Sequence, residues 1–346
     1  MKRIGVLTGG GDCPGLNAVI RAVVRSGVPY NFETLGIRNG WQGLIEGDVE
    51  PLTDYSVSGI LPKGGTILGT SRTNPLKKTS DFQKIKANLK KYDIHALVII
   101  GGDGTLSAAR DVYNQGINLV GVPKTIDNDI SGTDMTFGFD TAVAIVTEAI
   151  DRLHTTAESH HRIIVVEVMG RNVGWIAVMA GIAGGADEIL IPEYHSTMDE
   201  VCENLMTRYR SGKKFSIVVV AEGVHRETLG LPPVPPELRD ECGHEKFVGI
   251  GNIVGKEIEK RLGVETRVTI LGHVQRGGSP TAYDRILATR YGVAAMHLVN
   301  AGEFGKMVAL RGNEIISIPL EDAVSRTKGV DPEFYLMAKS VIGGLR

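Results

Sequence analysis

Lys124, Thr125, Asp127 and Asp129 crowd into the last six residues of the stretch PKTIDND. A lysine, a hydroxyl and two carboxylates that close together are costly to assemble unless charge is needed there. Upstream stands GGDGT, where Gly101 and Gly102 let bare backbone N–H groups come close to a ligand. A helix opening at Thr105 turns its positive end to that loop, so an anion is the natural guest. Beside such a loop, the cation, hydroxyl and carboxylates could clamp a phosphate, ligate a metal and accept a proton. That is the equipment of phosphoryl transfer.

Other positions share this character. Gly9, Gly10, Gly11 and Gly15 in TGGGDCPG are too many for a simple turn and predict a second phosphate-facing loop. The GxGxxG spacing of a dinucleotide fold is absent. KGGTILGTSR is a third glycine-rich loop and ends in Arg72. Met169, Gly170 and Arg171 stand where a strand gives way to a helix, the favoured place for ligands in open α/β sheets. Glu222 and the pair His273 and Arg276 follow other strands, and Arg162 precedes one.

The elements that must hold these residues alternate strand and helix. Apolar runs at 3–8, 96–100, 119–122, 163–168, 215–220 and 264–271 read as strands, the central ones covered on both faces. Helices are predicted after the first glycine loop, over 81–92, from 141 to about 160, and over 284–301. The stretch 36–43 reads as a turn, with Trp41 either packing a donor or closing the core, the core being the favoured reading. A strand pair around MVALRGNEIISIPL and a terminal helix complete the tail. The segment 224–247, with LPPVPPE, breaks the rhythm and reads as a surface loop. Lys213 and Lys214 read as solvated.

A length of 346 residues with 42% apolar content suits two α/β lobes. A formal charge of −2 gives no reason to expect nucleic acid or an anionic membrane as partner. The scattered Cys13, Cys202 and Cys242 suggest neither a zinc site nor a disulfide framework. No apolar run approaches a membrane span, and Met1 leads straight into the strand RIGVLT, so a soluble, cytoplasmic protein is expected.

From TGGGDCPGLNAVIR through KGGTILGTSR, GGDGT, PKTIDND, GFDTA, MGRNVGW and AEG to LGHVQRGGSP, the chain resembles the 6-phosphofructokinase family. The resemblance implies an α/β fold of two Rossmann-like lobes with mostly parallel sheets and an active site in the cleft between them. Residues 1–138 with about 276–322 would form the phosphoryl-donor lobe, and 139–275 with about 323–346 the fructose 6-phosphate lobe. It further implies transfer of a phosphoryl group to the C1 hydroxyl of fructose 6-phosphate, a glycolytic step, with Mg²⁺ as cofactor. Asp127 would be the base, Thr125 and Asp129 would align substrate and metal, and Asp103 would lie close to the magnesium. Arg171 would stabilise the moving phosphoryl group, and Gly11, Arg72, Gly102, Gly104 and Thr105 would meet the donor. Met169, Gly170, Glu222, His273 and Arg276 would hold the sugar phosphate, with Arg162 and Arg267 reaching in from a neighbouring subunit of a homotetramer or homodimer.

Two positions bear on the donor. Pyrophosphate-using relatives usually carry aspartate at position 104 and lysine at 124, whereas ATP-using bacterial relatives usually have glycine at both. This chain has Gly104 with Lys124, and Ala108 where the ATP type often has glycine. The expectation is pyrophosphate as donor, with ATP as the alternative. Another GGDG-loop kinase, or a non-catalytic sugar-phosphate-binding regulator, is the reading from a different class. Arg21, Arg25 and Lys213 match a family effector site, but Asp54, His154 and Ser211 replace residues that are often basic. Weak control by anionic effectors is therefore expected.

Overall fold

The structure, a computed structural model, describes residues 1–232 and 249–342. Its strands are β1 (Lys2–Gly9), β2 (Phe32–Ile37), β3 (Val49–Leu52), β4 (Ile94–Gly101), β5 (Leu119–Pro123), β6 (Ile163–Val168), β7 (Glu188–Leu190), β8 (Ser216–Ala221), β9 (Thr266–Ile270), β10 (Lys306–Arg311) and β11 (Glu314–Pro319). Its helices are α1 (Leu16–Gly27), α2 (Gly40–Glu46), α3 (Thr79–Lys91), α4 (Asp103–Asn114), α5 (Phe139–His160), α6 (Trp175–Ala183), α7 (Met198–Arg210), α8 (Ile250–Leu262), α9 (Ala282–Ala301), α10 (Leu320–Ala323) and α11 (Pro332–Val341). The chain divides into two compact units, Met1–Thr141 with Arg276–Lys328 and Ala142–Gln275 with Gly329–Arg346.

The first unit is built on one sheet in the order β11-β10-β5-β4-β1-β2-β3. Its five middle strands run parallel, while β3 and β11 add antiparallel edges. Alternate residues explain why both faces are covered. Leu7, Leu97, Ile99, Leu119, Met307 and Ala309 join Trp41, Leu44, Phe82, Ile85 and Leu106 of α2, α3 and α4 in one core. Ile4, Val6, Val98 and Ile100 point the other way and are equally buried, on the side where α1 and α9 pack together. From β1 the chain moves to β2, and from β4 it moves the opposite way to β5. The carboxyl ends of β1 and β4 therefore flank the crevice that this topology opens.

The second unit has an all-parallel sheet in the order β7-β8-β6-β9. Here too the direction reverses, with β6 leading to β7 on one side and β8 leading past it to β9 on the other. The reversal lies at the carboxyl ends of β6 and β8. Helix α11 docks on this unit through the buried Tyr335, whose hydroxyl donates to the Ile189 carbonyl at 2.7 Å.

Three readings differ from what is observed. The stretch 36–43 is not a turn: β2 runs to Ile37 and α2 starts at Gly40, with Trp41 inside the core. Gly43 there serves packing, because a Cβ would lie 1.7 Å from the Arg38 carbonyl oxygen. Helix α4 opens at Asp103 rather than Thr105, with Gly102 as its cap and Asp103 in its first turn, where a carboxylate suits the helix dipole. The strand predicted over 264–271 is shorter, running Thr266–Ile270, and at its start Thr266 donates its hydroxyl back to the Val264 carbonyl. Of the predicted loop over 224–247, residues 233–247 lie outside the described residues, and the described part forms a short 3₁₀ turn at Glu227–Leu229. No helix among the described residues is long and apolar enough to cross a membrane.

Candidate active site

In the first unit, Gly9 pairs with Gly101 and Gly101 with Pro123 in the strand register. Three loops therefore leave the sheet at one level: Gly10 onward, Gly102 onward, and Lys124 to Asp129. Thr105 is wedged over the first two strand ends. A Cβ on Gly9 or Gly101 would come within 2.7 and 2.4 Å of its methyl carbon. Those glycines let α4 sit close enough for its N-terminus to reach the loops. Around Gly104 the space is open, with no atom within 4 Å of where a Cβ would stand.

Lys124 is buried, and its Nζ donates to the Gly11 carbonyl at 2.5 Å. Burial pushes its pKa below the ordinary lysine value; Arg276 pushes the same way, while Asp127 and Asp129 oppose. Arg276 ends the short 3₁₀ turn Gly272–Arg276, and its guanidinium donates to the Asp12 carbonyl at 3.2 Å. A Cβ on Gly11 would stand 2.7 Å from that guanidinium. Arg276 thus lies against the first glycine loop, beside Lys124. Asp127 accepts from the Thr125 hydroxyl at 3.2 Å through Oδ2, and its own N–H donates to the Thr125 oxygen at 3.0 Å. Its Oδ1 is buried with no hydrogen-bond partner among the described residues. Thr136 closes the back of the loop by donating its hydroxyl to the Thr125 carbonyl at 2.7 Å.

The third glycine loop is tied to the first. The Gly10 N–H donates to the Ser71 carbonyl at 2.9 Å, and the Thr70 hydroxyl donates to the Gly10 carbonyl at 2.6 Å. Arg72 is the next residue and so stands beside that loop. Asn17, buried on α1, donates to the carbonyls of Lys63 and Gly64 and accepts from the Ile67 N–H. The sequence reading passed over Asn17. Its one signal is a polar residue among the apolar positions of an amphipathic helix.

The second unit carries the other candidates. Gly170 has φ 151° and Arg171 φ 55°, the latter unusual for a residue with a side chain. Glu222, just past β8, holds this shape: its Oε1 accepts the N–H groups of Arg171 at 2.9 Å and Gly170 at 3.3 Å. Gly223 is required next to it, since a Cβ would lie 1.9 Å from the Arg171 carbonyl oxygen. Gln275 takes the Met169 N–H at 3.2 Å, and Glu193 takes the Gly174 N–H at 3.0 Å. Gln275, Glu193 and Gly223 were not singled out from the sequence, because their partners lie far away along the chain. His273 is exposed on the 3₁₀ turn after β9.

Arg162 and Arg267 are not brought to this edge. Both pair with Glu265, Arg162 at 2.7 Å, at the amino ends of β6 and β9. A strand of this length spans ~17 Å, so neither reaches the Met169–Arg171 loop of its own unit. At the expected effector positions, Arg25 is engaged by Asp54 at 3.1 Å, and His154 faces the Gly184 carbonyl at 2.7 Å.

The family model described as Phosphofructokinase matches residues 3–299. The chain is 56% identical over 335 residues to the pyrophosphate–fructose 6-phosphate 1-phosphotransferase of Streptomyces coelicolor, covering 96% of this chain and 97% of that one. It is 51% identical over 341 residues to the ATP-dependent 6-phosphofructokinase 3 of the same organism, covering 98% and 100%. Among solved structures, the phosphofructokinase of Saccharomyces cerevisiae superposes with a TM-score of 0.81 at 35% identity over 99% of this chain, which spans about half (47%) of the yeast chain. The pyrophosphate-dependent phosphofructokinase of Marinobacter aquaeolei, 21% identical over 99% of this chain and 92% of that one, shares the fold with a TM-score of 0.81. Its glycine loops and charged strand ends are thus those of a chain that belongs to the phosphofructokinase family.

Proposed function

We propose that this chain transfers a phosphoryl group from pyrophosphate to the C1 hydroxyl of fructose 6-phosphate. The observation that carries the reading is the Asp127 carboxylate, buried, with Oδ1 unpartnered among the described residues, in the same loop as the buried Lys124. A sugar hydroxyl is a poor nucleophile until a carboxylate accepts its proton, and Oδ1 is the atom with that capacity. Thr125, by bonding Oδ2, fixes which oxygen is presented. Lys124 and Arg72 stand at the glycine loops, where the donor's charge and that of the leaving phosphate need cations. Arg171, Glu222, Met169, Gly170, His273 and Arg276 are read as holding and orienting the sugar phosphate, with Arg171 also facing the transferring group.

Among the described residues, no group of three or more His, Cys, Asp or Glu side chains could hold a metal ion. That suits Mg²⁺ arriving with the donor, because this ion keeps one or two carboxylates and fills its shell with water and phosphate oxygens. Asp103, exposed in the first turn of α4, would be the protein's ligand. When bound, the ion neutralises charge on the phosphates. The cytoplasmic location expected from the sequence belongs to the same reading.

ATP is the second reading, and the open space at Gly104 favours it, since nothing there obstructs a nucleotide. The test is a coupled assay with fructose 6-phosphate and each donor, in wild type and in Asp127→Ser. Turnover with pyrophosphate at least equal to that with ATP is expected. Asp127→Ser should lose roughly 10²–10⁴-fold in kcat with KM little changed. Near-normal turnover in Asp127→Ser would sink the assignment of the base, and wild type ignoring pyrophosphate would leave ATP as donor.

A further inference from the structure

Lys328 lies far along the chain from the loop that carries Asp127, yet it is bonded to that loop from behind. Ile130 and Thr327 form an antiparallel bridge, and the Lys328 N–H donates to the Asp129 carbonyl at 2.9 Å. Its Nζ donates to Asn128 Oδ1 at 2.9 Å, to the Thr133 carbonyl at 2.8 Å and to the Asp134 carbonyl at 2.9 Å. An ammonium has three protons, and each finds an acceptor in this one loop.

Asn128 is where those bonds matter. It stands between Asp127 and Asp129 and has φ 54°, in the left-handed region. Asparagine enters that region more readily than other residues with side chains, and the hydrogen bonds of its amide hold it there. Asn128 Oδ1 accepts from both Lys328 Nζ and the Thr136 N–H, the latter at 3.0 Å. The Thr133 end of the loop is fixed separately: its hydroxyl meets the Tyr291 hydroxyl at 2.9 Å and takes the Leu310 N–H at 2.9 Å. At its Asn128 end, Lys328 is thus a charged side-chain anchor of the loop.

We propose that Lys328 is a positioning residue for the phosphoryl transfer: by holding Asn128 in its left-handed shape, the ammonium sets the direction in which the Asp127 and Asp129 carboxylates leave the backbone. The inference rests on the reading of Asp127 as proton acceptor. Lys328 acts through the loop, and its loss should slow the chemical step while substrate still binds. A displacement of about 1 Å at a reacting group costs on the order of 10²-fold in rate.

The experiment measures kcat, the KM for fructose 6-phosphate and the folded fraction by circular dichroism in Lys328→Met, Lys328→Arg and Asp127→Ser. Pyrophosphate and ATP are each tried as donor. Lys328→Met should lose ~10–10²-fold in kcat while its KM stays within ~3-fold of wild type. Lys328→Arg, which keeps the charge, should recover part of that loss. A kcat for Lys328→Met within ~2-fold of wild type overturns the proposal, as does a loss that only follows the folded fraction. Should Lys328→Met not fold, Asn128→Ala decides, because it removes the group Lys328 holds and leaves a side chain that resists the left-handed shape. Lowered kcat with unchanged KM supports the proposal there, and unchanged kcat overturns it. Asp127→Ser separates the two levels. If it turns over normally, the base assignment fails; if it is dead while Lys328→Met is normal, only the role of Lys328 fails.

Discussion

Lys124 is held by a backbone carbonyl rather than by a carboxylate, and that decides what it can do. Its Nζ donates to the Gly11 carbonyl, and burial lowers its pKa. A phosphate entering beside it would add to the negative charge of Asp127 and Asp129 and favour the ammonium form. Pyrophosphate has no nucleoside to anchor it, so cationic side chains must carry most of its binding. Lys124→Gly should therefore lower kcat/KM for pyrophosphate by ~10²-fold and for ATP by less than ~10-fold. Gly104→Asp makes the complementary change. The space there is open and a carboxylate suits the first turn of α4, so folding should be unaffected while ATP use falls and pyrophosphate use persists. Equal losses for both donors in Lys124→Gly would make Lys124 a general phosphate clamp with no bearing on choice. At this scale the residues of one short segment were legible in the sequence, since Lys124, Thr125, Asp127 and Asp129 advertise themselves by crowding. Asn17, Gln275, Glu193 and Lys328 were not, because each acts on a backbone group brought close only by folding.

Two helix starts are tied together by a buried carboxylate that no mechanism uses. Asp284, in the first turn of α9, accepts the N–H of Thr141 at 2.8 Å and its hydroxyl at 2.5 Å, at the beginning of α5. Thr281 caps α9 by accepting the Asp284 N–H at 3.2 Å and donates its hydroxyl to Asp140 at 2.6 Å. Burial raises the Asp284 pKa to about 6, against the pull of the Thr141 bonds and with a further push from Asp140. An unfolded aspartate titrates near ~3.9, so between there and 6 the folded chain keeps a proton that the unfolded chain gives up. That contribution to stability is fully present below about pH 4 and is lost as pH rises through 6, a fall of at most about 3 kcal/mol. Asp284→Asn removes the step. Urea midpoints followed from pH 4 to 7.5 should fall more steeply in wild type than in the variant, whereas parallel curves would contradict the assignment. The other raised carboxylates, Glu167, Asp187 and Glu188, titrate in both proteins and cancel in the difference. Elements were read well where apolar runs are unbroken: the reading of 163–168 as a strand coincides with β6. They were misread where glycine serves packing, as in α2, and α7 and α8 went unnoticed although Thr197 and Glu200 form a capping box.

Arg162 and Arg267 stand away from the candidate ligand-binding edge of their own unit. They share Glu265 at the amino ends of their strands, while Met169, Arg171 and Glu222 occupy the carboxyl ends. If these arginines grip a sugar phosphate, as the family resemblance implies, the phosphate belongs to another copy. Strand β9 is the edge of its sheet, and Ile270 and Val274 at its end are 47% and 62% exposed, apolar surface of the kind that interfaces cover. A homo-oligomer with shared sites follows as the reading, and it predicts complementation. Asp127→Ser removes the base from a subunit's own site, and Arg162→Ala removes the grip that the subunit lends to its neighbour. Each variant alone should be nearly inactive. In a mixed assembly, a subunit with intact Asp127 can receive Arg162 from the Asp127→Ser neighbour, which restores one site of the pair. Random pairing of equal amounts makes half of the pairs mixed, so about a quarter of wild-type activity should return on refolding the two together. Light scattering gives the assembly size in the same samples. No recovery in mixtures that demonstrably co-assemble, or a monomer with full activity, would mean that Arg162 and Arg267 serve no neighbour and that Glu265 is their whole purpose.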